Sequence, residues 1–207
     1  MRNDPSCSHS QGDLTVLKGL AKAMTSTPAD EKVLEYSRSM SQASHISQHA
    51  PRFRDHWISM IVTRALRLRE CHGIDKLIAT ARAEQCLGNL HGLDAHLTVA
   101  EWALGLRSVE SKFVGADGTQ VTVDVVACDG LWWIEIKATT LFGLESSAWA
   151  SLRDQASRLL RVAAQHRVGA HSPRVLVVFT AGCTVEVATA LSRLGCAVVH
   201  AAPRLPP

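Results

Sequence analysis

Asp124 and the pair Glu135-x-Lys137 place two carboxylates and an ammonium within fourteen residues, a combination suited to holding a cation or moving a proton. They lie in residues 121–138, VTVDVVACDGLWWIEIKA, two apolar-rich runs joined by Asp129-Gly130. That dipeptide suits a type I′ turn, which needs φ > 0 at both central positions, so a β-hairpin is predicted. A two-residue loop sets Cys128 against Leu131, Val126 against Trp133, Asp124 against Glu135 and Thr122 against Lys137. Side chains alternate across a strand. Val121, Val123, Val125, Ala127, Trp132, Ile134 and Ile136 then form one apolar face, and Thr122, Asp124, Val126, Trp133, Glu135 and Lys137 the other. Directly opposed carboxylates, with Cβ atoms about 4.5–5.5 Å apart, destabilise a sheet. A divalent cation would remove the repulsion, because Mg²⁺ is held by one or two carboxylates plus substrate oxygens. The plain alternative is a half-exposed strand whose outer face carries Asp, Glu and Lys.

The rest of the chain must position these groups. Its 207 residues allow one domain with a sizeable core plus appendages. With 46% hydrophobic and 20% charged residues, the composition is that of a soluble globular protein. No apolar run reaches the roughly 18 residues of a membrane span, and the N-terminus lacks the apolar core of a signal peptide. A cytoplasmic or nuclear location with no membrane partner is expected. The six cysteines have no CxxC spacing and read as free thiols. His45 and His49 share a helical spacing but have no thiolates nearby, so no zinc site is expected. Net charge is only +3, yet sixteen of the 22 basic residues are arginine, which suits bidentate phosphate contacts.

In chain order, residues 1–50 form a mobile or loosely helical tail, with short helices near 14–24 and 31–39. Residues 51–90 form a helical subdomain, with helices over 56–69 and 74–87 punctuated by Gly73 and Gly88. An α/β core spans 91–203. It begins with a helix over 93–106, on which Glu101 borders the apolar stripe. A strand over 109–114 needs a longer loop or a bulge, since a two-residue turn at Asp117-Gly118 sets Lys112 against Val123. A long helix over 148–165 follows, with Ser146 or Ser147 as N-cap. Gln155 sits in its buried stripe and must find a partner, while Arg153, Arg158 and Arg161 populate its outer face as candidate nucleic-acid contacts or ordinary surface charge. The run RVLVVFT, a helix over 184–194 stopped by Gly195 and a last strand over 196–201 favour parallel pairing through a right-handed crossover.

Asp, then Glu-x-Lys on the next strand, resembles the PD-(D/E)xK signature of restriction-endonuclease-like proteins. The element order from residue 93 onward resembles their core: an α/β fold, a mixed sheet flanked by helices, here preceded by an N-terminal helical region. The blocks HLTVAEWAL, VTVDVVACDGLWWIEIKA, SLRDQASRLL, PRVLVVFTAG and VATALSRLGCAVV are similar to an uncharacterised eukaryotic family. In that family a restriction-endonuclease-like N-terminal domain precedes a PIN-like domain. The likeness covers roughly residues 89–203, and the chain ends where the PIN-like domain would begin. A single-domain member and a truncated chain are both open, with a PIN-like partner in cis or in trans. Some family members depart from the signature at the positions of Glu135 and Lys137, and this chain keeps both.

The resemblance implies a Mg²⁺- or Mn²⁺-dependent nuclease acting on DNA or RNA. Asp124 and Glu135 hold metal, Lys137 orients the attacking water, and Glu101 and Gln155 assist. The competing expectation is a non-catalytic module binding nucleic acid or protein through the same fold, because fold does not fix function.

Overall fold

The computed structural model describes residues 50–103, 105–139, 141 and 143–200. His45, His49 and the two short helices expected in the tail lie outside the described residues. Three helices come first: α1 (Ala50–Ala65), with a 3₁₀ turn at Leu66–Leu68, then α2 (Ile74–Ala83) and α3 (Leu87–Trp102). Strands β1 (Ser108–Val114), β2 (Gln120–Ala127) and β3 (Trp132–Lys137) follow. Helix α4 (Ser147–Gln165), strand β4 (Arg174–Phe179), helix α5 (Val185–Leu194) and strand β5 (Ala197–His200) complete the chain. The sheet order is β1-β2-β3-β4-β5, antiparallel across the first three strands and parallel across the last three. The fold is thus α/β, a five-stranded mixed sheet flanked by helices.

Helices cover both faces of the sheet. Ile61, Leu77, Leu90 and Leu97 from α1–α3 pack with Val109, Val125, Ala127, Trp132, Ile134 and Ile136. On the other face, Trp149, Leu152, Leu159, Val187 and Leu191 from α4 and α5 pack with Val121, Val123, Val126, Trp133 and Phe179. Helices of the expected 51–90 subdomain therefore share one apolar cluster with the sheet. The third helix starts six residues before the predicted 93 and ends four before 106. Burial of Leu90, Leu93 and Leu97 carries it through Gly88 and Gly92, each of which costs about 1 kcal/mol in a helix. Ala103 turns to extended backbone (φ −71, ψ 119) and ends it. Among the described helices, none is long and apolar enough to cross a membrane.

Arg64 ties α1 to α3. Its guanidinium donates to Asp94, to Thr98 (3.0 Å) and to both oxygens of Glu101 (3.1 and 2.8 Å). Bonds from a charged donor contribute about 1.5–3 kcal/mol. Arg64→Ala should accordingly lower the melting temperature by roughly 5–10 °C, measurable by differential scanning calorimetry. An unchanged melting temperature would make the clamp a surface feature with no hold on the fold.

The hairpin keeps the predicted register, with Val126 opposite Trp133. Asp129 (φ 56) and Gly130 (φ 99) supply the left-handed turn, and Cys128 (φ 50) joins them. Leu131 N–H closes the turn on Cys128 O at 3.1 Å. The β1–β2 loop is five residues, closed by Gly115 N–H to Thr119 O at 2.8 Å, and Lys112 stands opposite Thr122.

One expectation is overturned. Val121, Val123, Val125 and Ala127 do not share a face: the first two join the α4–α5 cluster and the last two the α1–α3 cluster. The alternation breaks at Asp124. Opposite it in register, Glu110 has a left-handed backbone (φ 50), and the β1–β2 ladder skips this pair. Likewise Val126 and Trp133 are buried rather than half-exposed, because α4 lies over them.

Candidate metal centre

The site sits where β2 and β3 part. Their ladder runs from Ala127↔Trp132 to Val125↔Ile134 and goes no further. The next backbone donor along β3 is taken by a side chain: Ile136 N–H donates to Asp124 Oδ2 at 2.7 Å. Asp124 and Glu135 are in register, but they do not meet as cross-strand neighbours on one face. Asp124 lies in the opening between strands, reached by His96 of α3, whose Nε2 is 3.5 Å from Asp124 Oδ2. Glu135 lies on the α4 side with Lys137, whose Nζ is 2.7 Å from Glu135 Oε1 and donates to Gln155 Oε1 at 3.0 Å. The amide of Gln155, half-buried rather than fully buried, thus finds its partner in Lys137.

His96 also approaches Glu110, with Nδ1 2.8 Å from Oε1. Lys76 adds a longer ion pair to Glu110 at 3.9 Å. His96, Glu110 and Asp124 each offer a ligand atom, all within 4.8 Å of one another, a spacing that can hold a cation. Neither His96 nor Glu110 is a sequence-predicted site residue. The signals that could have found them are a histidine beside Leu97 in the buried stripe of α3 and a Glu in a strand otherwise led by Ser and Val.

Electrostatics bind these groups into one unit. Burial pushes the Glu135 carboxyl up to about 7; the charge of Asp124 adds to this, and Lys137 offsets part of it. Asp124 is also raised, by burial first, with His96 and the Ile136 N–H working against the shift. For His96, burial opposes the charged ring, but the bond to Glu110 and the surrounding carboxylates win, so the imidazole is held above its ordinary value. Burial would raise Glu110 too, yet the His96 bond and the charges of His96 and Lys76 bring it below the usual range. An ionised Glu110 only accepts, so Nδ1 must carry a proton. Loss of the other ring proton then leaves the Nε2 lone pair facing Asp124, the arrangement in which a carboxylate orients a ligating histidine.

One observation tests whether a divalent cation suits these residues. Glu135 is 2% exposed, and its Oε2 has no hydrogen-bond partner among the described residues. An unsatisfied buried carboxylate oxygen is costly, and a cation could satisfy it; the His96, Glu110 and Asp124 ligand atoms, one nitrogen and two carboxylates, are a separate group of the N/O kind that divalent metals take.

The remaining candidates fall elsewhere. Glu101 is engaged by Arg64 and takes no part in the contacts of this cluster. Its position at the edge of the apolar stripe puts it within reach of α1 instead. Arg153, Arg158 and Arg161 are exposed on α4; Arg158 pairs with Asp154 at 3.2 Å and Arg161 with Asp117 at 3.5 Å. Arg153 and Arg158 flank Gln155, whereas Arg161 is about 9 Å further along the helix axis at ~1.5 Å per residue. Against known proteins, no protein-family model matches the chain, and neither a curated protein nor a solved structure matches it.

Proposed function

We propose that this chain is a divalent-metal-dependent phosphodiesterase acting on DNA or RNA, built on a restriction-endonuclease-like core. The observation that carries the reading is that buried Asp124, which faces His96 in the β2–β3 opening, stands in register with Glu135, which pairs with Lys137 and whose Oε2 is buried without a partner among the described residues. The helix–three-strand–helix–strand order and the antiparallel-then-parallel sheet support the fold assignment.

Asp124 and Glu135 would hold Mg²⁺ or Mn²⁺, with His96 Nε2 as a third donor. The bound cation supplies Lewis acidity and a more acidic water. Glu110 fixes the His96 ring so that Nε2 is the free nitrogen. Lys137 holds a positive charge beside Glu135, placed to orient water and to offset charge developing on phosphate. Gln155 accepts from Lys137 and restricts where its ammonium can point.

The test is cleavage of labelled single- and double-stranded DNA and RNA with and without Mg²⁺ or Mn²⁺, beside an Asp124→Ala protein. Cation-dependent cleavage in the wild type alone is the expected result. No cleavage of any substrate, or equal cleavage by Asp124→Ala, contradicts the proposal. A second reading, a non-catalytic binding module, draws on one observation: His96 already lies between Glu110 and Asp124 and neutralises charge there without a cation.

If the α4 arginines contact nucleic acid, binding is sequence-independent and salt-sensitive. Arg153→Ala/Arg161→Ala in the Asp124→Ala background should then lower the log–log salt slope by roughly 0.7–0.9 per lost phosphate contact. Filter binding between 50 and 200 mM salt, about the range over which such slopes are read, checks this. Unchanged affinity and slope assign these residues to the solvated face.

A further inference from the structure

A cleft of about 250 Å³ opens at the hairpin end of the sheet, between β1 and the loop that follows α4. Its charge-bearing walls are Arg107 and Arg167, and its rings are Phe113, Trp133 and His166. We propose that this cleft binds a phosphate monoester carried on a nucleoside, either a free nucleotide or the phosphorylated end of an oligonucleotide. The assignment does not rest on the metal centre. Lys137 lies four residues beyond Trp133 along β3, about 13 Å at ~3.3 Å per residue.

Charge selects an anion. Arg107 and Arg167 form no ion pair among the described residues, and no Asp or Glu side chain lines the cleft. Arg107 Nη1 donates to Asp129 O at 3.3 Å, and Arg167 Nη1 donates to Ser172 Oγ at 2.9 Å. A guanidinium has five N–H donors in a planar fork, so both retain the geometry that takes phosphate bidentately. The backbone makes room for one of them. A Cβ at Gly130 would stand 2.9 Å from Arg107 Nη1, so glycine at this turn position lets the guanidinium lie against the hairpin.

Shape and apolar surface select what the phosphate is attached to. Phe113 and Trp133 stack at 4.1 Å, and His166 meets each ring at 5.3 Å. Trp133 is buried and backs the wall, while the half-buried rings of Phe113 and His166 offer a surface for a sugar or base. The volume falls just below the roughly 300–1,000 Å³ of small-molecule pockets. A space of that size suits a small ligand or one terminal group and not a duplex.

The test is calorimetric titration of the full chain in EDTA, so that no divalent cation contributes. The probes are a nucleoside monophosphate, the matching nucleoside, inorganic phosphate, and a dinucleotide with and without a 5′-phosphate. The monophosphate should bind saturably, at least tenfold tighter than the nucleoside. Arg107→Gln/Arg167→Gln should weaken it by roughly 10- to 100-fold, the loss expected of one or two charge-assisted bonds. Asp124→Asn should leave it unchanged. Tighter binding of the phosphorylated dinucleotide identifies the ligand as a nucleic-acid end, and tighter binding of the monophosphate identifies a free nucleotide. No saturable binding of any phosphate overturns the proposal, as does undiminished binding by a double variant with wild-type circular dichroism. Should the double variant misfold, the wild type still decides. Saturation must shift the Trp133 indole ¹H–¹⁵N resonance, and binding that leaves it unmoved places the anion elsewhere.

Discussion

A Lys137→Ala protein is expected to bind Mg²⁺ or Mn²⁺ and to lose about 10²- to 10³-fold in turnover, the usual effect of removing one preorganised stabilising group. Nζ is 2.7 Å from Glu135 Oε1 and 3.0 Å from Gln155 Oε1, so the ammonium is fixed by two acceptors. Removing it takes away positive charge but leaves the contacts among His96, Glu110 and Asp124 in place. The loss should therefore appear in kcat rather than in the cation concentration needed for half-maximal rate. Gln155→Ala frees the ammonium but keeps its charge, and a smaller loss of roughly tenfold is expected, in line with positioning effects. Steady-state cleavage at saturating cation reads both. Turnover unchanged in Lys137→Ala would make the lysine a structural partner of Glu135 and nothing more.

The metal-free protein should lose stability as pH rises towards 7 and regain it with a divalent cation. Glu135 is raised from 4.5 to about 7 in the folded chain, so its contribution is full below 4.5 and lost as pH climbs through 7. Asp124 and His96 are raised as well, and their contributions are lost in the same direction. Glu110 is lowered, so its contribution is present above 4.5 and lost as pH falls. Without metal, stability should therefore be greater on the acid side of neutrality than at pH 7. At about 1.36 kcal/mol per pKa unit, the Glu135 shift corresponds to at most about 3 kcal/mol. For a chain of this size that is roughly 5–10 °C of melting temperature. A cation binding the deprotonated cluster reverses the trend, adding about 2.7 kcal/mol at a hundredfold excess over Kd. Asp124→Asn keeps an oxygen to accept from Ile136 N–H but removes one negative charge. Its metal-free form should show a flatter pH profile, and its cation-dependent shift should vanish. Thermal melts between pH 5 and 8, with and without Mn²⁺, check this, and parallel profiles for the two proteins would contradict it.

What was legible in the sequence follows local rules. Asp129-Gly130 dictates a turn, the turn dictates register, and Val126 stands opposite Trp133 as that logic requires. Ser146 caps α4 by accepting from Trp149 N–H, and Gly195 (φ 105) stops α5, both as their side chains or lack of one imply. The faces of β2 were not legible. With helices on both sides, apolar residues point both ways, and alternation no longer tells core from surface. The left-handed backbone of Glu110, which no strand pattern announces, sets the place where β2 changes face. His96 was hidden for a different reason: which turn of α3 looks onto Asp124 depends on how the helix crosses the sheet. Glu101 has the same borderline position in the periodicity, yet its turn looks towards Arg64.

If His96 and Asp124 share one divalent cation, Mn²⁺ electron paramagnetic resonance on the full chain will detect it. One tightly bound Mn²⁺ is expected, with nitrogen hyperfine coupling from a single imidazole that is lost in His96→Gln, and with weak or absent binding in Asp124→Asn. No bound ion in the wild type, or a bound ion whose spectrum is the same in His96→Gln and Asp124→Asn, would contradict it.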